Sequence, residues 1–283
     1  VIQVKNLNYA YPKYEQKILH GLNFEVKRGE ILGFLGPSGA GKSTTQNILI
    51  GKLRNYTGSV QVFSQEMKTV TSDYYERIGV AFEFPNFYSR FTALENLRHF
   101  QSLYRNQEND PIALLEQVNL KEYAHVKFEH FSKGMKMRLN YCRAILGNPE
   151  ILFLDEPTSG LDPVNADRLK QLILERKQSG TTILLTTHQM QTAEQLCDRV
   201  AFIVGGEINL IDSPKNLMLQ YGQRQLKVEF EVDGQRYTEE FPLEGIGENE
   251  RYLHVIRSHP IITMHSMEAT LDQIFMKVTG ASL

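Results

Sequence analysis

The stretch Gly36-Pro37-Ser38-Gly39-Ala40-Gly41-Lys42-Ser43-Thr44 narrows what this chain can fold into more than any other. It satisfies G-x-x-x-x-G-K-[ST], and its neighbours supply the context that pattern requires. The compact apolar run Ile31–Leu35 reads as a strand feeding the turn, and Lys42–Leu53 reads as a helix leaving it. Glycines let successive backbone N–H groups curl around phosphate oxygens, while a helix N-terminus adds positive partial charge. In such a loop Lys42 reaches the β- and γ-phosphates of a nucleotide, and the Ser43 hydroxyl is placed to ligate Mg²⁺. A plain glycine-rich turn would need neither the strand before it nor the lysine after it.

Ile151-Leu152-Phe153-Leu154-Asp155-Glu156 has the uninterrupted apolar character of a buried central strand and ends in two acids at the carboxyl edge, where α/β proteins place ligands. Beside a phosphate loop the two carboxylates suggest a division of labour. Asp155 would hold Mg²⁺ through its water shell, and Glu156 would polarise or deprotonate an attacking water. Thr186-Thr187-His188 follows the apolar strand Ile183–Leu185, so His188 belongs at the same edge, where an imidazole near a γ-phosphate can donate to it and orient the water. A strand followed by Asp-Glu is often only a solvated turn, and a lone histidine is more often structural. The phosphate loop upstream gives both their weight.

Through roughly the first 200 residues short apolar strands alternate with amphipathic helices, the pattern of an α/β domain with a mainly parallel sheet. Thr92 and Glu95 have capping-box spacing ahead of an expected helix Ala93–Tyr104, and Asp162-Pro163 is an N-cap and first-turn proline opening a helix to Gln178. Strand signals vanish from about 87 to 147, which reads as a helical insertion. Val200–Val204 and Glu207–Ile211 flank Gly205-Gly206, a two-residue hairpin. After about 220 the character changes to alternating Leu226, Val228, Phe230 and Val232, a turn at Asp233-Gly234, a strand through Tyr237 and a capped helix over Thr270–Val278, so 1–220 and 221–283 are expected to be a main domain and a small α+β unit.

Composition excludes several classes. Of 283 residues 41% are apolar and 23% charged, close to soluble averages, and a net charge of −2 gives no footprint for nucleic acid. No apolar run approaches the roughly 20 residues that span a bilayer, so this polypeptide forms no membrane pore alone. Val1–Lys5 lacks the features of a secretory signal, and Cys142 and Cys197, in segments that read as helical, lack metal-ligand spacing, so reduced cytosolic thiols are expected.

Taken together these residues resemble the ABC ATPase family, and a further motif separates that family from other P-loop proteins. Phe131-Ser132-Lys133-Gly134-Met135 stands where the family has Leu-Ser-Gly-Gly-Gln, ahead of a helix ending near Gly147; Ser132 and Gly134 match, while Phe131, Lys133 and Met135 depart. The resemblance implies a P-loop NTPase core with an antiparallel β subdomain, and an ATP-sandwich dimer, homo- or heteromeric, in which Ser132 and Gly134 meet the γ-phosphate of ATP held by the other subunit. Ser159-Gly160-Leu161-Asp162 resembles the D-loop that crosses the dimer seam. Tyr11 holds the place of the aromatic that stacks on adenine, with Tyr9 and Tyr14 nearby. In Ile78-Gly79-Val80-Ala81-Phe82-Glu83 the family ends in glutamine, but position 83 is Glu, which we expect to add a carboxylate ligand for Mg²⁺.

The segment Met267-Glu268-Ala269-Thr270-Leu271-Asp272-Gln273-Ile274-Phe275 with Thr279-Gly280 is similar to the tail of bacterial drug, antibiotic, peptide and sodium exporter ATPases, which implies export rather than import. The family likeness also implies transmembrane permease partners and a place at the cytoplasmic face of the cell membrane. The aromatics of Phe84-Pro85-Asn86-Phe87-Tyr88 offer Phe87 and Tyr88 either as anchors for that partner or as ordinary packing of the insertion. Two other readings are a soluble ABC protein acting on DNA or ribosomes, and an ATP-sensing scaffold with weak hydrolysis. The single cassette without sustained heptads or a basic tract disfavours the first, and Lys42, Asp155, Glu156 and His188 disfavour the second.

Overall fold

A computed structural model of the chain describes residues 1–12, 17–105, 107–222, 225–267 and 269–280; Tyr14 and Glu268 fall outside them. The Cα trace divides into two compact units, one running Val1–Asp212 and the other Ser213–Gly280.

In chain order the first unit holds β1 (Ile2–Tyr9), β2 (Leu19–Val26), β3 (Ile31–Leu35), α1 (Lys42–Leu49), β4 (Thr57–Val62), β5 (Gln65–Glu66), α2 (Ser72–Glu76) and β6 (Ile78–Ala81). It continues through α3 (Ala93–Gln101), α4 (Pro111–Gln117), α5 (Lys133–Ile145), β7 (Ile151–Asp155), α6 (Pro163–Gln178), β8 (Thr182–Thr187), α7 (Met190–Leu196), β9 (Arg199–Val204) and β10 (Glu207–Asp212). One sheet has the order β10-β9-β3-β8-β7-β6 and is parallel from β9 to β6, with β10 antiparallel at the edge through the Gly205-Gly206 turn. A second, antiparallel sheet runs β2-β1-β4-β5.

The strands β3 and β8 are buried along their whole length, as is β7 up to Asp155, because one face of the parallel sheet packs on the antiparallel sheet and α1 and the other is covered by helices, leaving no solvated side to alternate toward. Their carboxyl ends therefore emerge side by side from one rigid edge. The α/β class with its antiparallel subdomain and helical insertion is the observed architecture, and among the described residues 83–149 hold no strand beyond a lone bridge between Thr92 and Lys127.

Local signals and local outcomes agree at several caps. Thr92 and Glu95 form the capping box of α3, and Asp162 accepts from Asn165 N–H at the start of α6. Three expectations were too long or misplaced. The helix after the phosphate loop ends at Leu49, not Leu53, because the chain turns at Gly51, whose φ of +76° suits glycine, and Lys52 and Leu53 both bond back to Asn47. The α3 helix stops at Gln101 rather than Tyr104, and Cys197 lies just past α7 instead of within it. Gly79 of β6 meets α5 backbone to backbone: a Cβ there would lie 1.9 Å from the Ala144 carbonyl oxygen.

The second unit holds α8 (Pro214–Tyr221), β11 (Gln225–Val232), β12 (Gln235–Pro242), α9 (Glu250–Ser258), β13 (Ile261–Met267) and α10 (Leu271–Thr279). Its antiparallel sheet β12-β11-β13 buries Val228, Phe230 and Phe241 against Val255 of α9. The Thr270–Gln273 capping box starts α10 and Gly280 ends it in the left-handed region. Among the described residues of both units no helix is long and apolar enough to cross a membrane.

Candidate functional site

The edge formed by β3, β6, β7 and β8 opens into a cavity of about 440 Å³ lined by Pro37, Ser38, Gly39, Gly41, Lys42, Ser43, Thr44, Glu83, Asp155, Glu156 and His188. Four segments far apart in sequence thus converge on one space. Gly41 enters α1 with φ +105°, and a Cβ on it would lie 2.6 Å from Leu19 Cδ2, so both conformation and space demand glycine. Gly36 sits against β9, where an added Cβ would fall 2.0 Å from the Ile203 carbonyl oxygen.

Lys42 turns back over its own loop, its ammonium donating to the carbonyls of Gly36 at 2.5 Å and Pro37 at 2.9 Å. Burial holds its pKa below the ordinary lysine value, against the opposing pull of Glu156, Asp155 and Glu83. Asp155 is shifted the other way. Burial raises its pKa, and the nearby Glu156 adds to the rise, while the hydroxyl of Thr186 donates to Oδ1 and partly offsets both.

Glu156 is 8% exposed and held from three directions. Thr187 Oγ1 donates to Oε2 at 3.0 Å, the His188 backbone N–H donates to Oε1 at 2.9 Å, and His188 Nδ1 lies 2.7 Å from Oε1. Its backbone has φ +47°, a left-handed conformation uncommon for a residue with a side chain, which turns the carboxylate out of the strand direction. A carboxylate so fixed in the cavity lining has Oε1 fully engaged and one acceptor position left on Oε2, which a general base needs.

The oxygen donors suit a small hard cation. Ser43, Asp155 and Glu83 line one space, whereas among the described residues no group of three or more His, Cys, Asp or Glu gathers into a cage. A sparse oxygen set of this kind fits Mg²⁺, which keeps waters and shares phosphate oxygens rather than filling an all-protein site.

The other sequence candidates lie outside the cavity lining. Gly36 and Ala40 serve the loop's backbone. Tyr11 is half-buried beside it, edge-on to Tyr9 and 3.2 Å from Thr44 Oγ1. Ser132 is exposed and caps α5, its Oγ accepting from Met135 N–H at 3.2 Å. Gly134 is half-buried, with the Gly160 carbonyl oxygen 3.2 Å from where its Cβ would be, and Asp162 is exposed, its carboxyl held below the usual range by hydrogen bonds from Asn165.

Sequence reading missed the threonine pair. Thr186 and Thr187 seemed only to lead to His188, yet one hydroxyl serves Asp155 and the next serves Glu156. The available signal was two hydroxyls directly after the apolar run Ile183–Leu185. Phe87 needs correction as a surface anchor: it is buried, packed on Phe100 and Phe128 and covered by the Arg143 guanidinium, while Phe84 and Tyr88 remain exposed.

Comparison with known proteins gives a consistent picture. Residues 19–159 match the family described as ABC transporter, and residues 224–268 match the Fluoroquinolone efflux ABC transporter C-terminal domain. A fluoroquinolones export ATP-binding protein of Mycobacterium tuberculosis is 50% identical over 100% of this chain and 94% of its own length. The linearmycin resistance ATP-binding protein of Bacillus subtilis is 32% identical over 96% of this chain and 85% of its own. Among solved structures, an ATP-binding subunit of an ABC transporter superposes with TM-score 0.71 at 29% identity, covering 78% of this chain and 93% of that one. A dimeric ATP-binding cassette in a post-hydrolysis state with ADP and Pi gives TM-score 0.69 at 26% identity, covering 75% of this chain and 98% of that one.

Proposed function

Because the chain belongs to the ABC transporter family as one of its ATP-binding, ATP-hydrolysing subunits, we propose that it drives export of antibiotic-type compounds, fluoroquinolones among them, through a membrane-spanning partner. The observation that carries the catalytic part is the triple hold on Glu156 in the cavity that also contains the phosphate loop.

The phosphate loop Gly36–Thr44 takes the triphosphate, with Lys42 leaving its loop carbonyls for the β- and γ-phosphate oxygens. Tyr11 stands where adenine would stack. Ser43 and Asp155 would hold Mg²⁺, with Glu83 as a further oxygen ligand; when bound, the ion would supply positive charge against that developing on the phosphate. Glu156 accepts a proton from the attacking water, the Thr187 hydroxyl and the His188 backbone N–H keep that carboxylate oriented, and the His188 imidazole donates toward the γ-phosphate once nucleotide is bound. Because Ser132, Gly134 and Asp162 lie outside the cavity of their own chain, we assign them to the ATP of a second copy or a close relative, two chains closing over two nucleotides.

The membrane partner we place on the helical insertion. A groove of about 370 Å³ between β6, α3 and α5 is lined by Tyr75, Val80, Phe82, Phe100 and Leu103, of which Leu103 is 66% exposed, and Phe84 beside the same β6 exit is 79% exposed. Such apolar surface on a soluble unit marks a docking site. Through that partner the chain sits at the cytoplasmic membrane face, and residues 221–283 act as an accessory unit. Co-expression with the permease is the test: fluoroquinolone tolerance should rise with the native chain and not with Glu156→Gln, and Leu103→Glu should abolish co-purification. Equal tolerance with both chains would overturn the transport reading.

A further inference from the structure

We propose that Lys133 is a positioning residue that ties the signature turn to the Ser159–Asp162 loop of its own chain and thereby fixes Glu156 for hydrolysis; the proposal rests on the ATPase reading above. Lys133 stands where the family has glycine, and it opens α5. A lysine at that position is electrostatically unfavourable, since a helix N-terminus carries positive partial charge, and no acidic residue in the first turn of α5 offsets it. Something other than helix formation must account for a cation there.

The side chain lies along Gly160. A Cβ built on that glycine would be 2.7 Å from Lys133 Cδ, 2.9 Å from Cε and 3.1 Å from Cγ, so the outer three methylenes of the stem lie against a bare Cα. Gly160 also has φ +73°, which keeps other residues away from the position. Beyond the stem, the ammonium donates to Ser159 Oγ at 3.3 Å. Gly134 closes the contact from the next residue, against the Gly160 carbonyl.

From Ser159 the path to the base is short. Ser159 N–H donates to the Glu156 carbonyl at 3.0 Å, and Leu161 N–H to the Thr158 carbonyl at 3.3 Å, so the loop is a compact turn beginning at the residue with positive φ. Pinning Ser159 and Gly160 from α5 limits how that turn, and the carboxylate at its start, can tilt. A single exposed hydrogen bond contributes little to folding. Its use is therefore positional: the helix whose N-cap, Ser132, is assigned to the second nucleotide is tied within the chain to the base of the first.

Kinetics of the full chain test this with Lys133→Gln, Ser159→Ala, the double variant and Lys133→Arg, each checked for unchanged thermal unfolding. Lys133→Gln should lower kcat roughly 3- to 30-fold, the range of coupled neighbours, with KM for ATP moved less than about twofold because the lysine does not touch its own nucleotide. Ser159→Ala should add nothing to Lys133→Gln, and Lys133→Arg should recover most of the turnover. Losses that multiply in the double variant, a raised KM at unchanged kcat, or native turnover in Lys133→Gln would overturn the role of the lysine alone. A native chain that hydrolyses no ATP would overturn the ATPase reading and the proposal with it.

Discussion

The phosphate-loop cavity and the signature patch are built by opposite rules. In the cavity, Lys42, Asp155 and Glu156 are each engaged from within the chain, by loop carbonyls, by Thr186 and by Thr187 with His188. In the patch, Ser132 and Asp162 are exposed, and each spends its side chain on capping a helix. A preorganised pocket costs little reorganisation when charge develops in it. An exposed cap gains a second use only when another surface covers it. The difference separates a half that is ready for substrate from a half that waits for a second chain, and it gives each motif its own kind of failure.

Glu156→Gln should cost most, roughly 10² to 10⁴ in kcat, the range for losing a positioned general base. Mg-ATP binding by this variant should persist, and light scattering should show its mass doubling with ATP. Near-native turnover would remove the cavity's claim to the chemistry.

Ser132→Ala comes next. We expect turnover to fall roughly 10- to 100-fold through loss of a phosphate-facing donor, with native affinity for ATP in the monomer. Unfolding should register the lost cap at about 1 kcal/mol. Ser132→Asp, which can still cap but has no proton to donate, should recover stability without turnover. If it recovers both, the patch is a helix cap and nothing more.

A smaller effect is expected at Glu83, which is half-buried on the cavity wall. Replacing it with glutamine should raise the Mg²⁺ concentration needed for half-maximal ATPase a few-fold, because a carboxylate is the better hard-oxygen ligand. Identical Mg²⁺ titrations would move Glu83 out of the metal site.

The smallest effect concerns stability without nucleotide. Burial raises the pKa of Asp155, so the folded chain holds that proton more tightly than the unfolded one. The stabilisation is full below the ordinary aspartate range and is lost as pH rises through the raised folded value. Asp155→Asn should accordingly unfold at a higher temperature than the native chain at neutral pH, and the gap should narrow on acidification. A gap that widens in acid would contradict the sign.

What the sequence made legible was local. The phosphate loop, the Asp155–Glu156 pair and the caps at Thr92, Asp162 and Thr270 are each written within a few consecutive residues, so spacing alone exposes them. The threonine clamp was not legible, because Thr186 and Thr187 meet Asp155 and Glu156 only through the parallel pairing of β8 with β7. Phe87 could not be told from surface because the irregular segment between β6 and α3 has no periodicity to betray its burial. Lys133 looked like a mere departure from the family pattern, since its partner Ser159 lies 26 positions on.

The meeting of Gly79 with Ala144 has a mechanical consequence. Where backbone abuts backbone at 1.9 Å from a would-be Cβ, no side chain is left to yield, so any tilt of α5 would have to turn about that end as about a fulcrum. Ser132 lies at the far end of the same 13-residue helix, a lever arm of about 18 Å at 1.5 Å per residue. A tilt of about 10° at the fulcrum swings the tip by about 3 Å, roughly the length of the hydrogen bond Ser132 would have to make or break. Strand β6, which carries Gly79, ends two residues before Glu83, so the same backbone contact that holds α5 also anchors the strand leading to the cavity wall.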